Sequence, residues 1–319
     1  SELAKADNSR IYQQYYLAVE DDNVHGGYIL KQQPAQKLNN EITIGNYQLP
    51  LSEGIITPRF AMVGVQIYLD AIRKQKYLYS LGMGNQNRPL PQFLKKMGWS
   101  VGDVPFFFKI LKPANVIKNM PAIRNHYRLK PFIFFLDQLK FFSFIICTYN
   151  LIQKIRSNKT DSKIVVNQES EFSFWADEIW QQSKNDFQWI CERSSEILNR
   201  LYPSNSKRYV RLHLKKENKS IGWALVLATP MKEHKQFPNM KVGTIADGLC
   251  LKGYENDLIA ACEQFLHKQG VDLIISNQSH HRWTQAFKAN GYMNAPTNYI
   301  IAFSPEMMKG LTDFSQCHL

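Results

Sequence analysis

The chain carries one unit twice. Residues 16–33 and 209–229 each read as a strand, a polar turn and a second strand with glycine near its start. Each is followed by an apolar run ending in an acidic residue and glycine, Glu53-Gly54 in the first and Asp247-Gly248 in the second. A helical stretch, a short apolar strand and another helix follow, closing on Gly98-Trp99 and Gly291-Tyr292. Gly222 stands 195 residues after Gly27, Asp247 194 after Glu53, and Gly291 193 after Gly98. A spacing held over several elements marks a duplicated module. The expected organisation is a first domain over 1–115, a connector over 116–167 and a second domain over 168–319.

A length of 319 residues is enough for two cores, and 44% hydrophobic with 21% charged residues is ordinary globular composition. The net charge of +12 favours an anionic partner through long-range steering. Lys and Arg are spread along the chain without a finger, basic zipper or RNA-binding aromatic signature, so nucleic acid is disfavoured. Phosphates on a cofactor or a charged glycan fit the charge equally well. The five cysteines, Cys147, Cys191, Cys250, Cys262 and Cys317, are odd in number and hold no CxxC pair, which reads as reduced thiols in the cytoplasm and no metal site. The opening SELAKADNSR carries no apolar segment, so no secretory signal is expected.

Residues 131–153 are the most hydrophobic stretch, but Asp137, Gln138 and Lys140 near its middle argue against a membrane span. At helical period Phe134, Phe135, Phe141, Phe142 and Ile145 share one face, and Arg and Lys residues flank both ends. That pattern fits a helix packed on the domains, or peripheral contact with an anionic membrane face.

Strand, strand, strand, helix, strand, helix, strand in each copy implies a mixed sheet flanked by helices, an α/β (α+β) layer fold. This order resembles the GNAT N-acetyltransferase superfamily. The second copy, with DEIW, ERSSEILNRLYP and then a strand pair, resembles the carboxy-terminal domain of double-GNAT proteins of bacterial polysaccharide biosynthesis. The stretch LPLSEGIITPRFAMVGVQIYLDAI in the first copy is similar to the central strand and cofactor loop of such a domain. About fifteen residues precede the first strand, too few for the two leading helices of the family.

The resemblance implies acyl-CoA, most simply acetyl-CoA, as cosubstrate and an amine as acceptor, either a small molecule or an amino sugar of a surface-polysaccharide precursor. It implies phosphate binding at a Gln/Arg-x-x-Gly-x-Gly/Ala loop that enters a helix, where unpaired N–H groups and the positive dipole end favour anions. The matching positions in the first copy run from Arg59 through Met62, Val63 and Gly64, with Val65 next. Met62 stands where the first glycine belongs. The second copy offers Cys250 to Glu255, where Glu255 and Asp257 satisfy the helix start themselves and would repel phosphate. The first copy is therefore the expected cofactor site.

Glu53 and Asp247 take the place of the family's base, and flanking apolar residues are expected to raise such a carboxylate's pKa. The rival readings are a strand-end carboxylate for Glu53 and a turn for Asp247. The family's acidic tyrosine is replaced by Leu94 and Phe287, and Tyr79 and Tyr292 nearby read as packing residues. The loop after the first copy's short strand places Gly84, Asn85, Asn87 and Arg88 as substrate contacts, with a plain loop as the alternative. His280-His281 is a poor metal pair with Ser279 read as the helix cap, and His25 reads as exposed in a strand turn. An N-acyltransferase is the leading reading. A non-catalytic GNAT-like scaffold that binds a glycan, membrane surface or protein partner, and a FemAB-like aminoacyl transferase, are the alternatives.

Overall fold

The computed structural model describes Leu3 and residues 9–120 and 163–318. The connector reading over 131–153 and Cys147 lie outside the described residues. Among the described residues no helix is long and apolar enough to cross a membrane, and no group of three or more His, Cys, Asp or Glu could hold a metal ion.

The chain begins with the antiparallel strands β1 (Tyr12–Glu20), β2 (Asn23–Lys37) and β3 (Asn40–Ser52), then α1 (Val63–Lys74), β4 (Leu78–Leu81), α2 (Pro89–Lys96) and β5 (Ser100–Asp103). β6 (Phe106–Ile110) and α3 (Pro113–Asn119) follow. The second part has β7 (Ile164–Glu169), α4 (Phe174–Ser183), β8 (Trp189–Cys191) and α5 (Ser195–Leu201). It continues with β9 (Val210–Lys216), β10 (Lys219–Met231), β11 (Met240–Cys250), α6 (Glu255–Lys268), β12 (Leu273–Asn277) and α7 (His281–Ala289). β13 (Met293–Ala295), β14 (Ile300–Phe303), α8 (Pro305–Met308) and β15 (Cys317–His318) complete it.

These elements build two mixed sheets. One has the order β15-β8-β2-β3-β4-β14-β5 with β1 on β2, and the other β13-β6-β12-β11-β10-β9-β7. The compact units do not follow one another simply along the chain: one comprises residues 1–105, 184–203 and 296–319, the other 106–183 and 204–295. β6 follows β5 in sequence yet pairs with β12 and β13, while β14 follows β13 yet pairs with β4 and β5. The first sheet thus receives β8, β14 and β15 from the second part of the chain, and the second sheet receives β6 from the first part.

Within the first unit α1 exists because Val63, Ile67, Tyr68 and Ala71 recur on one face and are buried. They pack on Tyr28, Leu30 and Tyr47 of the sheet, with Leu94 of α2 and Trp99. Leu94 is fully buried, a contribution of about 1.5–3 kcal/mol. In the second unit Leu258, Ile259, Cys262 and Leu266 of α6 do the same against Leu212, Ala224 and Val226, with Phe287 of α7. The cap position of α7 is His280, not Ser279, and no side chain caps it. The fully buried His280 ring is pushed down to about 3, by burial first and then by Arg282 and His281.

Register fixes the correspondence of the two copies residue by residue, at offsets different from those read in sequence. Beyond Asn46–Tyr79 the parallel β3–β4 ladder stops, and the Ser80 hydroxyl donates to the Tyr47 carbonyl over 2.8 Å. Beyond Thr244–Ile275 the β11–β12 ladder stops in the same way, and the Ser276 hydroxyl donates to the Ile245 carbonyl over 2.9 Å. Gly26 pairs with Ser52 and Gly222 with Cys250, and a Cβ on either glycine would strike the first turn or two of α1 or α6. Gly26, Tyr47 and Ser52 therefore correspond to Gly222, Ile245 and Cys250.

Candidate active site

This register separates two carboxylates that sequence spacing equates. The counterpart of Glu53, one residue past Ser52, is Leu251; the counterpart of Asp247, three residues before Ser52, falls in a bulge at Leu49. Asp247 lies inside β11 opposite Leu225, at the irregularity of the ladder, and accepts from the Gly248 N–H over 2.8 Å. It is buried in the strand rather than in a turn.

Glu53 opens a short turn after β3. Its Oε2 accepts from His25 Nδ1 over 2.7 Å and its Oε1 from the Thr57 hydroxyl over 3.1 Å. These bonds, that from His25 foremost, hold the carboxyl below the usual range, against the rise expected from apolar neighbours. His25 is not an exposed turn residue. Its side chain is 13% exposed and its ring stacks on Phe60 with centroids 3.8 Å apart. An ionised carboxylate on Nδ1 fixes the neutral ring with its proton there and the lone pair on Nε2.

The turn then doubles back toward α1. Gly54 is required, because a Cβ there would overlap the Phe60 carbonyl and Ala61 Cα. Helix α1 starts with no side-chain cap and no acidic residue in its first turn. Its first N–H groups therefore have neither intrahelical acceptors nor a carboxylate of their own. A Cβ on Gly64 would meet only Ser52, at 3.6 Å, so the backbone here is approachable. A cavity of about 250 Å³ opens at this point, between the end of β3 (Tyr47, Pro50, Leu51, Ser52), the start of α1 (Gly64, Val65, Ile67) and the start of α2 (Pro89, Leu90, Phe93).

The second unit places its own carboxylate at the equivalent helix start. The Gly253 N–H donates to Glu255 Oε2 over 2.9 Å, and Arg282 pairs with Glu255 Oε1 at 3.2 Å. With Asp257 also in its first turn, α6 carries its own anions where α1 carries none.

Of the residues predicted for the cofactor, Gly64 and Val65 line the cavity. Val63 is buried against Gly26, Met62 is exposed at the cap position, and Arg59 reaches away to pair with Glu20 at 3.1 Å. The loop holding Gly84, Asn85, Asn87 and Arg88 is organised on itself. Asn85 Oδ1 accepts from the Asn87 N–H, the Arg88 N–H donates to the Asn85 carbonyl, and Gly84 adopts φ +85°. None of the four lines the cavity, although Arg88 is the cap position leading into Pro89 and Leu90, which do. Tyr79 and Tyr292 are buried packing residues. Sequence reasoning missed two groups. His25 is brought to Glu53 by the β2–β3 pairing, and Tyr47 lines the cavity with its hydroxyl pushed well above the usual tyrosine value by burial.

No family model matches the chain, and no curated protein matches it. Its fold is similar to Saccharomyces cerevisiae N-myristoyltransferase with bound myristoyl-CoA, at 6% identity and TM-score 0.53 over 89% of this chain and 67% of that one. It is also similar to a probable N-acyltransferase from Enterococcus faecalis V583, at 10% identity and TM-score 0.55 over 93% and 63%. A GCN5-related N-acetyltransferase from Anabaena variabilis ATCC 29413 matches at 10% identity and TM-score 0.53 over 90% and 61%. The chain thus spans less than two thirds of the length of the last two. At these identities the likeness establishes architecture: two mixed sheets, each flanked by helices, in a tandem GNAT-like α/β fold.

Proposed function

We propose that the first unit is an acyl-CoA-dependent N-acyltransferase site and that the second serves as scaffold. The observation that carries this reading is the contrast at two equivalent helix starts, one without a carboxylate and open onto a cavity, the other carrying Glu255 and Asp257. Acyl-CoA supplies the activated thioester. The first-turn N–H groups of α1, approached over Gly64, take the pyrophosphate. The edge of β3 beyond Asn46, no longer paired with β4, offers backbone groups to the amides of the pantetheine arm.

His25 acts as base toward the acceptor ammonium through Nε2, and Glu53 holds its ring and stabilises the imidazolium that forms. Tyr47, protonated throughout the neutral range, donates to the departing thiolate. The acceptor is an amine, and the resemblance of the second copy supports an amino sugar of a surface-polysaccharide precursor, acetylated on the cytoplasmic side. Arg59, Met62 and Asp247 have no part in this scheme.

Val65→Asp tests the reading at the helix start. It places a carboxylate where the second unit has Asp257, so the helix dipole is satisfied internally. The unliganded melting temperature should change little, while the upward shift that CoA gives the wild-type chain should vanish. An undiminished shift in Val65→Asp would remove the helix start as the phosphate site. Free thiol release from acetyl-CoA with glucosamine as trial acceptor reads the transfer itself.

A further inference from the structure

One face of the first unit's sheet packs under α1. The other presents Tyr15, Leu17 and Val19 of β1, Val24 of β2, and Leu49 and Leu51 of β3 to solvent, with Leu17 65% and Leu51 69% exposed. So large an apolar patch on a folded unit marks an interaction surface. The duplication shows what covers such a face. Leu17 pairs with Gly27 as His213 pairs with Trp223, so Leu17 and Gly27 correspond to His213 and Trp223. In the second unit α4 lies there: Trp175 stacks on His213 at 4.1 Å, Phe172 meets Trp223 at 5.0 Å, and the Ser183 hydroxyl donates to the Cys250 carbonyl.

Two differences define the occupant in the first unit. Bare Gly27 stands where Trp223 fills space, within a cavity of about 570 Å³, so the incoming element must bring its own large side chain. The rim at the β1–β2 turn holds exposed Glu20, Asp21 and Asp22, although the chain as a whole is strongly basic. We propose that this face docks an amphipathic helix of a partner protein, laid down as α4 is in the second unit, with an aromatic residue over Gly27 and basic residues against Glu20–Asp22. His25 and Glu53 also line this cavity, so the docked helix would cover the pair assigned above to proton transfer, and the docking is therefore read by binding alone and not by turnover.

The probe is a fluorescein-labelled peptide of residues 172–183 carrying Asp177→Lys and Glu178→Lys, titrated against the whole chain by fluorescence anisotropy. Saturable binding is expected, weakened about tenfold or more by Leu17→Glu in the chain and several-fold when the peptide keeps its acidic residues. Circular dichroism checks that the exposed-site variant is folded. Binding indifferent to Leu17→Glu, equal binding of both peptides, or none up to about 1 mM peptide would overturn the proposal. So would a wild-type dimer that Leu17→Glu turns into monomer in sedimentation, since a second copy would then occupy the face.

Discussion

Alanine at His25 lowers the rate of acyl transfer by about 10²–10⁴-fold while leaving CoA binding intact, the loss expected when a positioned general base is removed. The effect is large because, among the described residues, the other side chain bonded to Glu53 is the Thr57 hydroxyl, which donates to it and is no base. Glu53→Gln keeps an acceptor oxygen on Nδ1 but not the charge that stabilises the imidazolium, and should lose about tenfold, by the same logic of a base tuned by its neighbour. The acid-side behaviour follows from the lowered Glu53 pKa. The pair is held while the carboxyl is ionised, above the usual carboxylate range, and is lost as pH falls through the depressed value. A pH profile of kcat/KM for wild type and both variants checks this order. Equal rates in wild type and His25→Ala would place the base elsewhere.

The second large effect concerns stability. Lys109 of β6 is 1% exposed, with Nζ 2.6 Å from Glu263 Oε1 and 2.8 Å from the Asn290 carbonyl. Lys109→Met preserves shape but strands the Glu263 carboxylate, and breaking a buried pair on one side costs about 3–5 kcal/mol. Urea denaturation should show that loss, and Glu263→Gln added to Lys109→Met should restore part of it. A change within about 0.5 kcal/mol would mean that the pair does not anchor β6 in its sheet.

Much of this molecule is legible in its sequence, and the failures have physical causes. The repeated order of strands and helices gave both sheets because α1 and α6 announce themselves by apolar residues at helical spacing, and β10 by its continuous apolar run from Ile221 to Ala228. The exchange of β6 and β14 is not written anywhere local. FFFKI and IIAF are each a short apolar strand that either sheet could pair, and only tertiary packing assigns them. The equation of Glu53 with Asp247 failed because acidic-glycine pairs were matched as letters, whereas ladder ends at Tyr47 and Ile245 set the true correspondence. The helix start was readable, since the absence of acid in VGVQ and its presence in ENDL follow from composition alone. Arg59 was misplaced because a leading arginine in a loop pattern says nothing about Glu20 across the β1–β2 turn. His25 was missed because turn residues look alike until pairing shows which carboxylate they face.

The central claim is that two copies of one unit hold one working cofactor site. Calorimetric titration of the chain with CoA tests it most directly. One site per chain is predicted, abolished by Val65→Asp and unaffected by Glu255→Gln in stoichiometry. Two sites in the wild-type chain, or one that survives Val65→Asp, would contradict the account.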